Sequence, residues 1–281
     1  MTRLKTDDII SIAAGMADYD TELAAKTGFT LRGIACCAAG ISEDDIEPVL
    51  ANIRIGIIPI TSGEGIIGGF CQAVKAIGSH LGCRTFITQT ADVAGLVEAF
   101  ENKADIIMLS DDDRFVALHA KSRRIIDNSV ATGEGFATGL NLMGGGLADR
   151  DVLVIGCGPV GSSAIEHLVR MGARVSVYDI NPQRCNDVTQ SIGQRLNSRI
   201  RSFDDLDTAL DYARFIVDAT PAANIIPACH ITPETYISAP GVPVGLTVEA
   251  GSKMSDRILH DPLQIGVATM LVYALKIHID Y

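Results

Sequence analysis

At 281 residues the chain exceeds the usual size of a single domain, and we expect two compact α/β domains. Apolar residues make up 47% of the chain and charged residues 20%, which is typical of a globular protein, and no stretch approaches the roughly 20 apolar residues that a membrane span needs. The formal net charge of −11 excludes a general nucleic-acid binder, because phosphate backbones favour clustered lysine and arginine.

The N-terminus and the cysteines indicate a reduced, cytoplasmic protein. The first residues, MTRLKTDDII, lack the apolar core and small-residue cleavage site of a signal peptide. The seven cysteines are odd in number and lack the C-x-x-C or Cys/His spacing of zinc sites. We therefore expect free and mostly buried thiols, and no metal.

The chain begins with helical patterns. Residues 6–28 carry apolar positions at helical spacing, with Thr6 as a suitable N-cap and Gly28 as a suitable end. A second, shorter and acidic helix is predicted over residues 42–52. Because the first helix has an apolar face, it must pack on another part of the protein.

An alternating α/β pattern follows. Apolar, β-branched runs at 55–60, 85–88 and 105–109 predict three buried parallel strands, with helices over 66–81 and 93–101 between them. Ligands bind at the carboxyl ends of such strands. Here those ends carry the polar segments TSGEG, TQTAD and SDDD, so we predict a binding site at this edge of a small parallel sheet.

A connection between two domains is predicted over residues 128–149, which are rich in Gly, Asn and Thr. We therefore assign residues 1–145 to a substrate-binding α/β domain and residues 146–281 to a Rossmann domain. The Rossmann pattern consists of predicted strands at 151–155, 174–179, 215–219 and 236–239, helices at 158–171 and 182–196, and a C-terminal helix at 263–277 that packs back between the domains.

A dinucleotide-binding motif opens the second domain. Residues 152–161, VLVIGCGPVG, run from a predicted strand through G-x-G-x-x-G into a helix. Gly156 allows the tight turn, Gly158 lets the backbone approach a pyrophosphate, and Gly161 permits close helix packing. Pro159 and Val160 would open the helix, whose N-terminus attracts the anion. The strand and helix around the glycines, more than their spacing, predict the cofactor.

Asp179 indicates which dinucleotide is bound. It ends the second Rossmann strand, where a carboxylate can bind the ribose hydroxyls, and Ile180 follows it at the same site. The alternative interpretation is a solvated carboxylate at a strand end. A carboxylate repels a 2′-phosphate and therefore favours NAD over NADP, although Arg184 keeps NADP open.

The nicotinamide half of the cofactor would lie at two further strand ends. Thr220 and Pro221 follow the predicted strand 215–219, and Pro240 and Gly241 follow the strand 236–239. Ordinary turn chemistry is the alternative for all four residues. Since both strands belong to the second half of the Rossmann pattern, we expect these residues to border the nicotinamide.

The segment GIIPITSGEGIIG (residues 56–68) is more specific than the Rossmann glycines. Together with SDDDRF (110–115), DATP (218–221), PGVP (240–243) and DPLQIGVATML (261–271), it resembles the family of pyrrolysine biosynthesis dehydrogenases, the PylD family, which closes the pyrroline ring. The matching segments occur in both predicted domains and in the same order. The resemblance therefore covers essentially the whole chain.

The resemblance implies both a reaction and a site. The reaction is NAD-dependent oxidation of the terminal amine of an isopeptide between lysine and 3-methylornithine, after which the imine or semialdehyde condenses with the α-amine to form the ring. By the same resemblance Ser62, Asp111 and Asp261 would surround the ornithyl end, and Leu4 would cover it. Thr61, Ile67 and Ser110 are expected to line this site. The family has Glu where this chain has Asp261, so the shorter carboxylate must reach the substrate or act through water.

The charges of the residues agree with that substrate, but other interpretations stay open. A substrate with two amines is cationic, and an acidic site recruits it. However, Asp111, Asp112 and Asp113 can also be a solvated acidic turn, and Ser62 can be only a helix cap. The alternative functions are a dehydrogenase of another small amine or amino acid and a non-catalytic NAD sensor. A homodimer also stays open.

Overall fold

The computed structural model describes residues 4–281, and its N-terminal part contains four helices where two were predicted. These are α1 (Thr6–Ile9), α2 (Ile12–Thr27), α3 (Leu31–Ala39) and α4 (Glu43–Leu50). The predicted helix 6–28 is therefore interrupted after Ile9, although Gly28 ends it with φ of 79°. Helix α3 is buried on most of its surface, so its sequence shows no polar face that would reveal a helical period.

The first sheet is mixed, and the prediction of a small, purely parallel sheet was incomplete. Its elements are β1 (Arg54–Ile58), α5 (Phe70–His80), β2 (Arg84–Ile87), α6 (Asp92–Glu101), β3 (Ile106–Ser110), β4 (Phe115–His119) and β5 (Arg124–Asp127). Strands β1, β2 and β3 are parallel, whereas β4 and β5 are antiparallel to their neighbours, in the order β2-β1-β3-β4-β5. Helix α5 begins at Phe70, so residues 61–69 form a loop at the carboxyl end of β1.

The predicted connection at 128–149 is mostly a helix, α7 (Asn128–Met143), and its irregular structure is confined to the end. The glycines of α7 pack closely against neighbouring elements and do not form turns. A Cβ atom on Gly133 would collide with the backbone of α8, and one on Gly135 would lie 2.7 Å from Cγ2 of Ile265. The predicted domain boundary between residues 145 and 146 falls just after this helix and stays a prediction.

The second sheet has the Rossmann topology, which confirms the predicted fold class. Its elements are β6 (Asp151–Ile155), α8 (Pro159–Arg170), β7 (Arg174–Tyr178), α9 (Pro182–Leu196), β8 (Arg201–Ser202), α10 (Leu206–Tyr212), β9 (Phe215–Asp218), β10 (Tyr236–Ala239), α11 (Val248–Ser252), β11 (Ile258–His260) and α12 (Gln264–Asp280). All six strands are parallel, in the order β11-β10-β9-β6-β7-β8. Because the chain reverses direction across the sheet between β6 and β9, ligands are expected at their carboxyl ends.

The C-terminal helix α12 returns to the N-terminal half of the chain. It packs against α3 and α7, and most of its residues are buried. The hydroxyl of Tyr273 donates to the carbonyl oxygen of Ala38 at 3.0 Å, and Nζ of Lys276 donates to that of Ala39 at 2.7 Å. None of the helices within residues 4–281 is long and apolar enough to cross a membrane.

Candidate active site

The glycine-rich loop after β6 has the shape that a dinucleotide needs. Gly156 adopts a φ of 91°, and a Cβ atom there would lie 2.9 Å from the carbonyl oxygen of Ala219. A Cβ atom on Gly161 would collide with the carbonyl of Gly156. Around Gly158, by contrast, an added Cβ would meet no described atom within 4 Å, so this face of the loop is open. Pro159 and Val160 form the first turn of α8, whose N-terminus points at that space.

Asp179 lies directly against this loop. Its carboxylate accepts hydrogen bonds from the backbone N–H of Cys157 at 2.7 Å and of Asn181 at 2.8 Å, and the residue is only 8% exposed. The next side chain, Ile180, is 91% exposed. The carboxylate is therefore fixed by the loop and is not simply solvated at the end of a strand. Arg184 lines a cleft of about 400 Å³ beside Cys157 and Gly158.

The loops after β9 and β10 contact each other through Asp218. This buried carboxylate accepts hydrogen bonds from the hydroxyl of Thr220 at 2.7 Å and from the N–H of Gly245 at 2.9 Å, and burial raises its pKa. A Cβ atom on Gly241 would collide with the carbonyl of Thr220. Thr220 and Pro240 are half-buried, whereas Pro221 is exposed. The sequence contained Asp218 within a matching segment but gave no sign that it joins the two loops.

The loop at the end of β1 is anchored by Asp92, which the sequence analysis did not select. Thr61 donates its N–H to Oδ1 of Asp92 at 2.8 Å and its hydroxyl to Oδ2. These bonds hold the pKa of Asp92 below its usual value, and its backbone adopts a φ of 54°, which is unusual for a residue other than glycine. Ser62 is exposed in the following turn. The loop at residues 61–69 is thus fixed at its first residue.

The three aspartates after β3 have different roles. Oδ1 of Asp111 accepts hydrogen bonds from the N–H of Asp113 at 2.9 Å and of Arg114 at 2.7 Å, so it caps the β3–β4 hairpin. Oδ2 of Asp112 accepts from the N–H of Glu64 at 2.7 Å and thereby joins the hairpin to the loop at residues 61–65. All three aspartates are exposed, and Ser110 is half-buried. The acidic turn and the loop at residues 61–65 therefore form one surface.

Asp261 is buried at the start of α12 and is bonded to a residue of α2. The hydroxyl of Tyr19 donates to Oδ2 of Asp261 at 2.5 Å, and the N–H of Leu263 donates to Oδ1 at 2.9 Å. Asp261 is 3% exposed, and this burial raises its pKa. Tyr19 lies 242 positions away in the sequence, so no local pattern could have predicted this pair. No hydrogen bond within residues 4–281 joins Asp111 to Asp261.

The N-terminal helix α1 contacts the loop at residues 61–69. An added Cβ on Gly68 would lie 3.2 Å from the hydroxyl oxygen of Thr6. Leu4 and Ile67 are half-buried and pack against the main hydrophobic core. The structure thus brings the start of the chain to the same edge of the first sheet as residues 61–69.

Two further features concern possible metal ligands and His119. The part of the chain that the structure describes holds no group of three metal-ligating side chains, and its cysteines are free. His119 lies in β4. It is buried between Ser122 and His278, at 2.7 and 3.2 Å from their Oγ and Nδ1 atoms.

Comparison with known proteins gives matches over the whole chain. Residues 8–126 match the family model described as pyrrolysine biosynthesis protein PylD, N-terminal domain, and residues 128–229 match alanine dehydrogenase/PNT, C-terminal domain. The pyrrolysine synthase of Methanosarcina barkeri is 33% identical over 282 residues, which cover 98% of each chain.

Solved structures are similar at the level of the fold. Quinate dehydrogenase from Corynebacterium glutamicum in complex with NAD has a TM-score of 0.54 and 14% identity, over 79% of this chain and 92% of that one. A shikimate dehydrogenase in complex with NADP⁺ has a TM-score of 0.55 and 15% identity, over 80% of this chain and 89% of the other. At this level of identity the similarity shows a shared dehydrogenase fold.

Proposed function

Because the chain belongs to the pyrrolysine synthase family, PylD, we propose that it oxidises the terminal amine of lysine-Nε-3-methylornithine with NAD and forms the pyrroline ring. The chain is an oxidoreductase of pyrrolysine biosynthesis with a Rossmann fold. The observation that carries the substrate proposal is the surface formed by the acidic turn 111–113 and the loop 61–65, which Asp112 joins to each other. With three amino groups and one carboxylate the isopeptide is cationic, and exposed carboxylates attract it.

The cofactor is a nicotinamide dinucleotide, and we propose NAD. When bound, its nicotinamide supplies the hydride acceptor for the carbon beside the amine. The open face of Gly158 and the N-terminus of α8 would hold the pyrophosphate. Asp179, held against the same loop, would accept the ribose hydroxyls and repel a 2′-phosphate.

The residues of the first sheet would prepare the amine for oxidation. An alkyl ammonium cannot release hydride from the neighbouring carbon until its nitrogen has lost a proton. Asp111 can hold the ammonium through a charge-assisted hydrogen bond and accept that proton, because its two hydrogen bonds within the turn both end on Oδ1. Ser62 and Thr61 would position the same end of the substrate. Leu4 and α1 would exclude water from it.

Cofactor preference tests the assignment of Asp179. We expect the enzyme to use NAD at least about tenfold more efficiently than NADP, because NADP loses the ribose hydrogen bond and opposes two negative charges. Asp179→Asn should reduce that preference. Asp187→Asn, in the same cleft as Arg184, is the matched control and should leave it unchanged. Equal kcat/KM values for NAD and NADP in the unmodified enzyme would remove Asp179 from this role.

Truncation of residues 1–10 tests whether the first helix acts as a lid. This deletion removes α1 and Leu4, together with residues 1–3, which lie outside the described part of the chain. We expect turnover of the isopeptide to fall because the site is no longer closed to water, while the affinity for NAD stays nearly the same. The two measurements are NADH formation and NAD titration. Undiminished turnover would contradict the lid.

A substrate panel tests the proposed function against its alternatives. Initial rates of NADH formation are measured with the isopeptide and with lysine, ornithine and alanine at equal concentrations. The proposal expects the isopeptide to be preferred by at least about tenfold, since each smaller amine lacks one of the two parts of the isopeptide and the binding energy that part would supply. A preference for one of the small amines would favour a different amine dehydrogenase. Binding of NAD without turnover of any of them would favour the sensor.

A further inference from the structure

Tyr19 and Asp261 form a hydrogen-bonded pair that takes no part in the proposed oxidation of the terminal amine. Asp261 follows β11 at the carboxyl edge of the Rossmann sheet, and Tyr19 projects to it from α2, which belongs to the N-terminal half. A second bond crosses between the same elements, since Nζ of Lys26 donates to the carbonyl oxygen of Ile258 at 2.8 Å. Helix α2 is therefore fixed along the edge strand β11 by two hydrogen bonds.

Tyr19 and Asp261 differ in how far they are exposed. Asp261 is 3% exposed, and its Oδ1 and Oδ2 accept from the N–H of Leu263 and the hydroxyl of Tyr19. Tyr19 is only half-buried. A phenol that donates its proton to a carboxylate keeps lone pairs that accept another hydrogen bond. Of the two residues, Tyr19 is therefore the one that a ligand can contact from outside.

The proposed substrate has two amines that must lose protons, and the structure has two separate acidic groups to accept them. The terminal amine must be neutral before its carbon is oxidised, and the α-amine must be neutral before it attacks that carbon. Asp111 lies on the β3–β4 hairpin, whereas the Tyr19–Asp261 pair lies beside β11. With Asp111 assigned to the terminal amine, the α-amine is left for the second group.

We propose that Tyr19 is a catalytic residue that binds the α-ammonium of the ornithyl part of the substrate and passes a proton from this ammonium to Asp261. This inference rests on the proposed function. A proton of the α-ammonium moves to the oxygen of Tyr19 as the proton of the phenol moves to Asp261. The lone pair that is freed on the α-nitrogen forms a bond to the imine carbon. The two protons that remain on the α-nitrogen pass to the terminal nitrogen, a double bond forms between the α-nitrogen and that carbon, and the bond from the carbon to the terminal nitrogen breaks. The terminal nitrogen leaves as ammonia, which takes the proton from Asp261 and becomes ammonium.

The electrostatics of the pair support this direction of transfer. Burial, followed by the negative charge of Asp261, raises the pKa of Tyr19 well above its usual value, so the phenol stays protonated and needs a second group to receive its proton. Burial also raises the pKa of Asp261, which makes it a stronger base than an exposed carboxylate. Tyr19 thus transmits a proton, and Asp261 stores it.

The test compares the isopeptide with an analogue that lacks only the α-amine of the ornithyl part, Nε-(5-amino-3-methylpentanoyl)-lysine, on the same preparation of each variant. Tyr19→Phe should lower kcat/KM for the isopeptide about 10²-fold, the usual scale for a positioned proton acceptor, and change it little for the analogue. Asp111→Asn should lower both. The ratio of the two substrates does not depend on how much of a variant is folded. An equal loss of both substrates in Tyr19→Phe would overturn the inference.

Two further variants distinguish proton transfer by Tyr19 from a purely structural role of its hydroxyl. Tyr273→Phe removes another tyrosine hydroxyl that is bonded to a carboxylate, that of Glu134, and should leave the ratio unchanged. Tyr19→Phe combined with Asp261→Glu should recover most of the lost activity on the isopeptide, because the longer side chain extends the carboxylate toward the position of the phenol. A double variant as inactive as Tyr19→Phe would contradict direct transfer to Asp261.

These results also separate the inference from the proposed function. If the unmodified enzyme oxidises neither the isopeptide nor the analogue, the proposed function itself fails. If it oxidises both, and Tyr19→Phe leaves their ratio unchanged, only the assignment of Tyr19 fails. Calorimetric titration of the isopeptide into the enzyme with NADH provides a readout without turnover, and Tyr19→Phe should weaken that binding while the analogue binds as before.

Discussion

Asp111→Asn is expected to lower turnover of the isopeptide by about 10²-fold or more, the usual scale for a positioned base. Asparagine keeps an oxygen that can accept the hydrogen bonds from the N–H groups of Asp113 and Arg114, so the hairpin should keep its shape. Only the negative charge and the ability to accept a proton are removed. NAD affinity should persist, because the glycine loop lies in the other sheet.

Asp113→Asn is the matched control for this change. Asp113 is an exposed neighbour in the same turn, whereas Asp112 is unsuitable because it bonds to the N–H of Glu64 and its loss would move the loop at residues 61–65. The rates are measured as NADH formation at saturating NAD. If Asp111→Asn keeps most of its activity while Asp261→Asn loses it, the base for the oxidised amine is Asp261. If neither change affects the rate, the acidic-site mechanism is wrong.

Gly158→Ala is expected to weaken dinucleotide binding strongly without unfolding the protein. The added methyl group would meet no described protein atom within 4 Å and would fill the space through which the pyrophosphate approaches the backbone. We expect the dissociation constant of NAD to rise by at least about tenfold, which corresponds to about 1.4 kcal/mol. The thermal midpoint without cofactor should stay within a few degrees of that of the unmodified protein.

Gly161→Ala, unlike Gly158→Ala, is expected to lower the stability of the protein as well as its affinity for NAD. Its methyl group would collide with the carbonyl of Gly156, so the loop and α8 must shift even when no cofactor is present. Both NAD affinity and the thermal midpoint should therefore fall. Tight NAD binding by Gly158→Ala would show that the pyrophosphate does not lie on this loop, and an unchanged midpoint in Gly161→Ala would contradict the close packing.

The Rossmann half was predictable because its signals are local. Each parallel strand is a short apolar run, and the glycines at 156, 158 and 161 must follow β6 directly. The β4–β5 hairpin was missed because its strands are short and partly exposed. Helix α7 was missed because its glycines resemble a linker, although they permit close packing against α8 and α12. In that segment the tertiary contacts outweigh the local propensity.

The candidate site was predictable in its residue types but not in its contacts. The sequence indicated that carboxylates follow β3, since strand ends are local features, whereas Asp261 was selected through the family resemblance and the strand before it was not predicted. It could not indicate that Asp112 bonds to Glu64, that Asp92 holds Thr61, or that Tyr19 reaches Asp261. Each of these bonds joins segments that only the folded chain brings together, so no spacing in the sequence encodes them.

The central claim is that one enzyme both oxidises the isopeptide and closes its ring. The direct measurement is incubation of the purified protein with NAD and lysine-Nε-3-methylornithine, with NADH followed by absorbance and the product by mass spectrometry. We predict one NADH per product, and a product that has lost two hydrogens and one ammonia relative to the substrate. Recovery of unchanged isopeptide, without NADH, from a protein that binds NAD would contradict the account.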